Sequence, residues 1–232
     1  MTKRLSSGLV LILALALPAS VAAGDFEDGE KSYQAGDYAK ARPLLLRAAA
    51  QGSSRAQVTL GMMYFYGQGV AQDYKQAASW YRKAAGLGDA KAQFNLGVLH
   101  AGGHGVARDY AQAATWYRKA AEKGDPKAQV NLGLLYTNGQ GVARDYAQAA
   151  SWFRKAAQAG DVKAQLNLGV LYANGFGVER DYVESRKWFD LAAAGGDETA
   201  RKDRELVAKN LSPEQIAEAE RRAAGWASAH PR

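Results

Sequence analysis

Between residues 53 and 196, apolar and polar positions recur with a period of 36 residues. Within one period, Asp125 to Gly160, two amphipathic stretches are separated by short turns. Ala128, Leu132 and Leu135 fall at i, i+4 and i+7, one apolar stripe of a first helix. Asp125 is its expected N-cap, and Pro126 takes the first helical position, where a missing N–H costs no bond. Asn138-Gly139 ends that helix, because both residues accept the left-handed conformation of a C-terminal cap. The second helix opens at Asp145, with Gln148 three residues on in a capping-box pattern. Asp73/Gln76, Asp109/Gln112 and Asp181/Glu184 repeat it. Ala149, Trp152, Phe153 and Ala156 carry the buried stripe, and Gly160 closes the helix. Alanines alternate with large aromatics because paired helices approach closely only where one side is small.

Self-similarity at a fixed period of this length is the signature of a solenoid. Leu60-Gly61, Leu96-Gly97, Leu132-Gly133 and Leu168-Gly169 keep step, as do Trp80, Trp116, Trp152 and Trp188. One helix pair cannot bury such a face alone, so the pairs stack. The repeated pattern, A-Q-x-N-L-G-x-L-Y-x-x-G-x-G-V-x-x-D-Y-x-x-A-x-x-W-Y/F-x-K-A-A-x-x-G, resembles the Sel-one-like repeat, a relative of the tetratricopeptide repeat. The resemblance implies an all-α fold, a right-handed superhelical α/α solenoid of helix–turn–helix repeats. Four full repeats are expected at 53–88, 89–124, 125–160 and 161–196. Asp37-Tyr38 lies 36 residues before Asp73-Tyr74, so 24–52 reads as a degenerate first repeat whose first helix is short and polar. His100 replaces the tyrosine found at Tyr64, Tyr136 and Tyr172, and Thr59 replaces an asparagine.

After Gly196 the register is lost, and 197–232 reads as C-terminal capping helices and a loose tail. Asp197–Lys209 is a polar helix candidate, followed by a second helix capped by Ser212-Pro213-Glu214-Gln215. Its stripe of Ile216, Ala219, Ala223 and Trp226 is expected to close the open end of the rod, with Ala227–Arg232 loose.

In the tetratricopeptide relatives the first helices line the concave face. Aligning the Leu-Gly pairs places three rows there. The first is basic, Arg55, Lys91, Lys127 and Lys163. The other two are apolar: Val58, Phe94, Val130 and Leu166, then Met62, Val98, Leu134 and Val170. Such a groove suits an extended or helical peptide with apolar anchors and acidic flanks. The alternative is that a tight superhelix, or the C-terminal helix, covers the stripe.

Composition narrows the chemistry. The chain has no cysteine, which excludes disulfides, zinc–thiolate sites and thiol nucleophiles. The Gly-x-Gly-Val turns lack the preceding strand and the following Gly-Lys-Ser/Thr of a phosphate cradle, so they read as helix stops. His100 and His104 are four apart, but Gly102 and Gly103 intervene and no third ligand is near, so no metal is assigned. No Gly-x-Ser-x-Gly or Ser-x-x-Lys pattern occurs, and no catalytic residue or cofactor is assigned. Residues 1–23 read as an export signal. Lys3 and Arg4 lead the apolar run Leu9–Leu17, Pro18 follows, and small residues permit cleavage after Ala22 or Ala23. Net charge is +7, or +5 without Lys3 and Arg4. That surplus is spread through the repeats rather than gathered in one stripe, so nucleic acid is not an expected partner. The export signal does not by itself separate periplasm from extracellular space, and the resemblance to bacterial Sel-one-like repeat proteins implies a periplasmic, non-catalytic scaffold that binds a protein or peptide. The alternatives are a modulator of a peptidoglycan-active enzyme and a hydrolase acting on peptidoglycan or β-lactams.

Overall fold

The computed structural model describes residues 19–230. The export-signal segment up to Pro18, and Pro231-Arg232 of the tail, lie outside the described residues. Among the described residues the chain forms helices and no strand. They are α1 (Ala19–Gln34), α2 (Tyr38–Ala50), α3 (Ser54–Tyr66), α4 (Tyr74–Gly86), α5 (Ala90–Gly102) and α6 (Tyr110–Glu122). Then come α7 (Pro126–Asn138), α8 (Tyr146–Gln158), α9 (Val162–Asn174), α10 (Tyr182–Ala194), α11 (Glu198–Ala208) and α12 (Pro213–Ala229). Through α11 each helix packs chiefly on its neighbours in sequence, as a stacked α/α solenoid requires.

The caps explain where the helices start. Asp125 Oδ1 accepts from the Ala128 amide at 2.8 Å, and Ser53, Asp89 and Asp161 do the same for the other first helices. Asp145 accepts from Ala147 and Gln148, and Asp73, Asp109 and Asp181 follow suit. The expected reciprocal half of the capping box is absent at these four aspartates. The Asp145 amide instead donates to the Tyr136 carbonyl at 3.0 Å, and its three counterparts bond to Tyr64, His100 and Tyr172. The orphan amide thus clamps the second helix to the end of the first. A complete box forms at Ser212/Gln215.

Each of the four full pairs is held by a ring against bare backbone. A Cβ on Gly133 would stand 2.6 Å from the Phe153 ring, closer than carbon atoms can approach. Gly61 faces Tyr81, Gly97 faces Tyr117 and Gly169 faces Phe189 in the same way, at 2.4, 2.5 and 2.6 Å. Successive pairs are joined by other repeated contacts. Gln129, buried, donates from Nε2 to the Ala121 carbonyl at 3.1 Å, and Gln57, Gln93 and Gln165 repeat the bond. Arg118 and Arg154 donate to the Tyr136 and Tyr172 hydroxyls at 2.9 and 3.0 Å. The second glycine of each Gly-x-Gly-Val turn is a further joint. Gly141 has φ +69°, and a Cβ there would lie 2.1 Å from the Tyr110 carbonyl carbon on the preceding pair. These turns are helix stops and inter-repeat contacts.

Both ends differ from expectation. The first helix is complete rather than short. Phe26 and Ser32 are buried, and Gly29 packs against Leu45 with Cβ contacts near 3.0 Å. The turn between α1 and α2 is four residues shorter than its later counterparts, so the first helix is displaced from the 36-residue register. At the other end the register persists one helix further than the sequence suggests. Asp197 caps α11 as Asp161 caps α9, and buried Ala200 and Val207 correspond to Ala164 and Leu171. The pattern is hidden because Arg204 and Glu205 replace Leu168 and Gly169. A glutamate at the glycine position cannot receive a second-helix ring, so the solenoid stops. The chain turns back instead, and α12 packs on α10 through Ala219, Ala223 and the Trp188–Trp226 contact. Arg186–Glu220 and Arg222–Glu184 ion pairs fix it there. Ala227–Ala229 are helical, and the His230 ring stacks on Trp226 at 4.3 Å, so this part of the tail is not loose.

Three substitutions test these contacts. Gly133→Ala should destabilise by about 1–3 kcal/mol through overpacking. Gly86→Ala, with nothing within 4 Å, should be neutral or stabilising by up to about 1 kcal/mol. Urea unfolding of both variants measures the contrast. His100 interrupts the arginine–tyrosine rungs, and its buried Nδ1 has no partner. His100→Tyr should give Arg82 an acceptor and raise stability by about 0.5–1.5 kcal/mol in the same assay.

Candidate concave binding groove

The first helices α3, α5, α7 and α9 share one register, so equal positions form rows across the stack. Three adjoining cavities follow these rows. One of about 590 Å³ is lined by Val58, Met62, Phe65, Tyr66, Tyr81, Lys91, Phe94, Asn95, Val98 and the turns at 125–127 and 159–161. A second, about 560 Å³, continues past Phe94 along Lys127, Val130, Asn131, Leu134 and Lys163. A third, about 140 Å³, extends the other way to Arg55, Phe26, Glu30 and Tyr33. They share Val58, Met62, Lys91, Phe94 and Lys127, and so form one groove.

The apolar residues differ in access. Val58 and Val130 are only 5% and 6% exposed and form the floor. Met62, Phe94, Val98 and Leu134 are half-buried and form the walls. Leu166 and Val170 lie beyond the point where these cavities end and pack against the cluster containing Phe189, Ala200 and Val207. The C-terminal helix does not cover the groove, since no α12 residue lines any of the three cavities.

The basic row is present and exposed. The Arg55 guanidinium sits 4.5 Å over the Phe26 ring. Lys91, Lys127 and Lys163 make no ion pair among the described residues, where the pairs cluster at Asp25–Arg47 and from Glu184 onward. Asp89, Asp125 and Asp161 also line the groove, but each already accepts a helix N-terminal amide. Their charge is therefore partly met by the helix dipole, while the lysines face solvent.

Sequence reasoning missed several wall residues. Phe26, Glu30 and Tyr33 were hidden by the short first turn. Phe65 and Tyr66 stand where the later repeats have Ala101-Gly102, Thr137-Asn138 and Ala173-Asn174, and that departure from the repeat was the available signal. Tyr81 was missed because it belongs to a second helix. Its ring is buried beneath Gly61, yet it lines the largest wall-bound space of the groove. Burial, with the Tyr66 and Tyr33 phenols nearby, pushes the Tyr81 phenol well up from its ordinary value.

The other candidates have structural partners. The His104 ring packs on Tyr74 at 5.0 Å and Phe176 stacks on Tyr146 at 4.9 Å, so these turn tips are tied to the preceding pair. Among the described residues no group of three or more histidines and carboxylates could hold a metal ion. No described helix is long and apolar enough to cross a membrane.

Comparison with known proteins agrees with this architecture. A Sel1 repeat protein from Oxalobacter formigenes is 32% identical, with TM-score 0.76, the match covering 86% of this chain and 84% of that one. The crystal structure of c5321, a protective antigen of uropathogenic Escherichia coli strains with an SLR fold, is 34% identical with TM-score 0.80. That match covers 89% of this chain but 46% of the antigen, so the chain spans about half the antigen's length. No curated protein matches the sequence significantly. The Sel1 repeat model matches five consecutive segments, 24–53, 54–89, 90–125, 126–161 and 162–197, and so counts the first helix pair as a repeat in its own right. With those five segments and their ring-on-glycine helix pairs, the chain belongs to the Sel1 repeat family.

Proposed function

We propose that this chain is a non-catalytic scaffold of the bacterial cell envelope that holds a peptide or protein segment in its concave groove. Sel1 repeat proteins generally serve as protein-interaction scaffolds. The observation that carries the finer reading is the continuous groove from Phe26 to Lys163, with its apolar floor and unpaired lysine rim. A fold with no outside partner gains nothing from an uncovered apolar trough, and such patches commonly mark interaction sites. The recurring aspartates that could suggest acid–base chemistry are occupied as helix caps.

Export to the periplasm rests on the N-terminal pattern of Lys3, Arg4, the Leu9–Leu17 run and the small residues after Pro18. Asp25, paired with Arg47 at 2.7 Å, and buried Phe26 both lie after Ala23. Removing residues 1–23 therefore takes away none of these contacts.

Two measurements test this reading. A photocrosslinking amino acid at Phe94 or Leu134 should give discrete adducts in cells, and one at exposed Gln158 should give none. Adduct-free protein at both groove positions would show that the groove is not the interaction site. The intact mass of protein from the periplasmic fraction should correspond to a chain beginning at Ala23 or Gly24. Protein retaining Met1, or confined to the cytoplasm, would remove the envelope assignment.

A further inference from the structure

The second helices form the layer behind the groove, and of α4, α6 and α8 only Tyr81 lines the groove cavities. These three helices carry seven cations and one acidic residue, Glu122. The pairs Arg82-Lys83, Arg118-Lys119 and Arg154-Lys155 recur every 36 residues. Such pairs are dispersed in sequence but stacked in space, so they form one band across the back of the solenoid. Lys83, Lys119 and Lys155 are exposed, and their ammonium groups rest 4.2, 4.4 and 4.1 Å over the Trp80, Trp116 and Trp152 rings. Held in place by those rings, they lose little side-chain freedom on meeting a counter-charge.

None of the six cations of the band is in an ion pair among the described residues. The caps Asp73, Asp109 and Asp145 stand ten residues before the lysines. That is about 15 Å along the helix, beyond the screening length of about 8 Å at physiological salt. In the groove, by contrast, Lys91, Lys127 and Lys163 each stand two residues after a capping aspartate. The band is also bounded. In the fifth repeat its two positions are Asp190 and Leu191, and Asp190 pairs with Arg186. In the first, Arg47 pairs with Asp25. Interspersed charges of both signs, as at these ends, suffice for solubility, whereas a band of one sign attracts an anion.

Two features select the kind of anion. The band is a ridge without walls, because Ser79, Thr115 and Ser151 stand four residues before the lysines on the same stripe. A polymer chain is tracked by a groove, whereas a ridge meets a plane. Leu87, four residues beyond Lys83, is 60% exposed and puts an apolar tip beside the cations. A lipid surface buries such a tip, and a hydrated polyanion does not. We propose that the layer α4–α6–α8 docks on an anionic phospholipid surface, with the lysine row and its flanking arginines toward the headgroup phosphates and Leu87 dipping between them. The groove then faces away from the lipid, open to its partner. The contact is peripheral, since no described helix is long and apolar enough to cross a membrane. It goes beyond the scaffold reading and uses no groove residue.

Sedimentation of the purified full chain with vesicles tests the assignment. Vesicles of phosphatidylglycerol and phosphatidylcholine in equal parts should bind about a hundredfold more tightly than vesicles of phosphatidylcholine alone. Raising salt from about 0.1 M to about 1 M, which shortens the screening length from about 10 Å to about 3 Å, should release the protein. Lys119→Gln should weaken binding to the anionic vesicles about fivefold, and Lys83→Gln, Lys119→Gln and Lys155→Gln together about a hundredfold. The groove triple Lys91→Gln, Lys127→Gln and Lys163→Gln has the same net charge and should bind as the parent does. Leu87→Ser should weaken binding about fivefold. Equal binding to the two kinds of vesicle, binding that survives high salt, equal losses in the two triples, or an unaffected Leu87→Ser variant each overturns the proposal. Retention on immobilised dextran sulfate without vesicle binding would give the face to a linear polyanion and overturn it as well. Groove crosslinks in cells read the scaffold function separately, so either proposal can fail alone.

Discussion

The structure depends on a single repeated contact, an aromatic ring lying on a helix backbone that carries no side chain. Gly61, Gly97, Gly133 and Gly169 admit Tyr81, Tyr117, Phe153 and Phe189 to distances that a methyl group would forbid. Large apolar area is buried at a small interaxial separation, which offsets the weaker helix propensity of glycine. The contact also fixes rotation. With the glycine turned to the ring, the adjoining face of each first helix, about 60–120° round at roughly 100° per residue, is turned toward the concave surface. Fold and groove are thus two sides of the same register.

The joints between pairs are polar and lie elsewhere. Buried glutamine amides close the ends of preceding helices, arginines reach tyrosine hydroxyls, and turn glycines meet the backbone of the preceding pair. Tryptophans add a further layer, each covered by a lysine ammonium, as Lys119 lies 4.4 Å from the Trp116 ring. None of these contacts uses an acid–base ion pair. The aspartates of the central repeats each give one carboxylate oxygen to a helix amide, and Asp89, Asp125 and Asp161 line the groove with the lysines without pairing with them. The C-terminal end is different in kind. There α12 is held by ion pairs on α10, and Arg186 is buried between Asp190 and Glu220.

Most of this fold was legible because the 36-residue period carries caps, apolar stripes and stops in step. The parts that were not legible have physical causes. The first helix is displaced by a turn four residues shorter than the others, so Gly29 lies 32 rather than 36 residues before Gly61, although Leu45 keeps the period with Tyr81. Helix α11 keeps its cap and buried positions but exchanges the glycine for Glu205, which conceals its relation to the other first helices. The capping boxes failed at the repeat aspartates because a tertiary acceptor, a carbonyl of the preceding helix, outcompeted the local glutamine. In the groove, the aligned rows identified the faces but not their depth. Val58 and Val130 look equivalent to Phe94 in sequence, yet the smaller side chains lie beneath the surface. Tyr81 was invisible to any argument confined to first helices.

Internal repetition separates the duties of neighbouring positions. The four full repeats are copies in the same fold, so a position that the fold dictates should read alike in each. Leu60-Gly61 and its three counterparts do, as do Gln57 and its counterparts. The groove walls do not. Met62, Val98, Leu134 and Val170 differ in size, Val58, Phe94, Val130 and Leu166 differ in shape, and Tyr66 stands against Gly102, Asn138 and Asn174. Variation confined to one face follows where packing constrains least and an asymmetric partner can impose its own shape. The basic row behaves in the opposite way. Arg55, Lys91, Lys127 and Lys163 stay cationic in every copy, although they are exposed and the three lysines pair with no carboxylate among the described residues. Nothing in helix packing asks for that charge. Each cation stands two residues after a helix cap, Ser53, Asp89, Asp125 or Asp161, so along most of the groove the repeated charge alternates with a carboxylate while the apolar wall between them varies in shape.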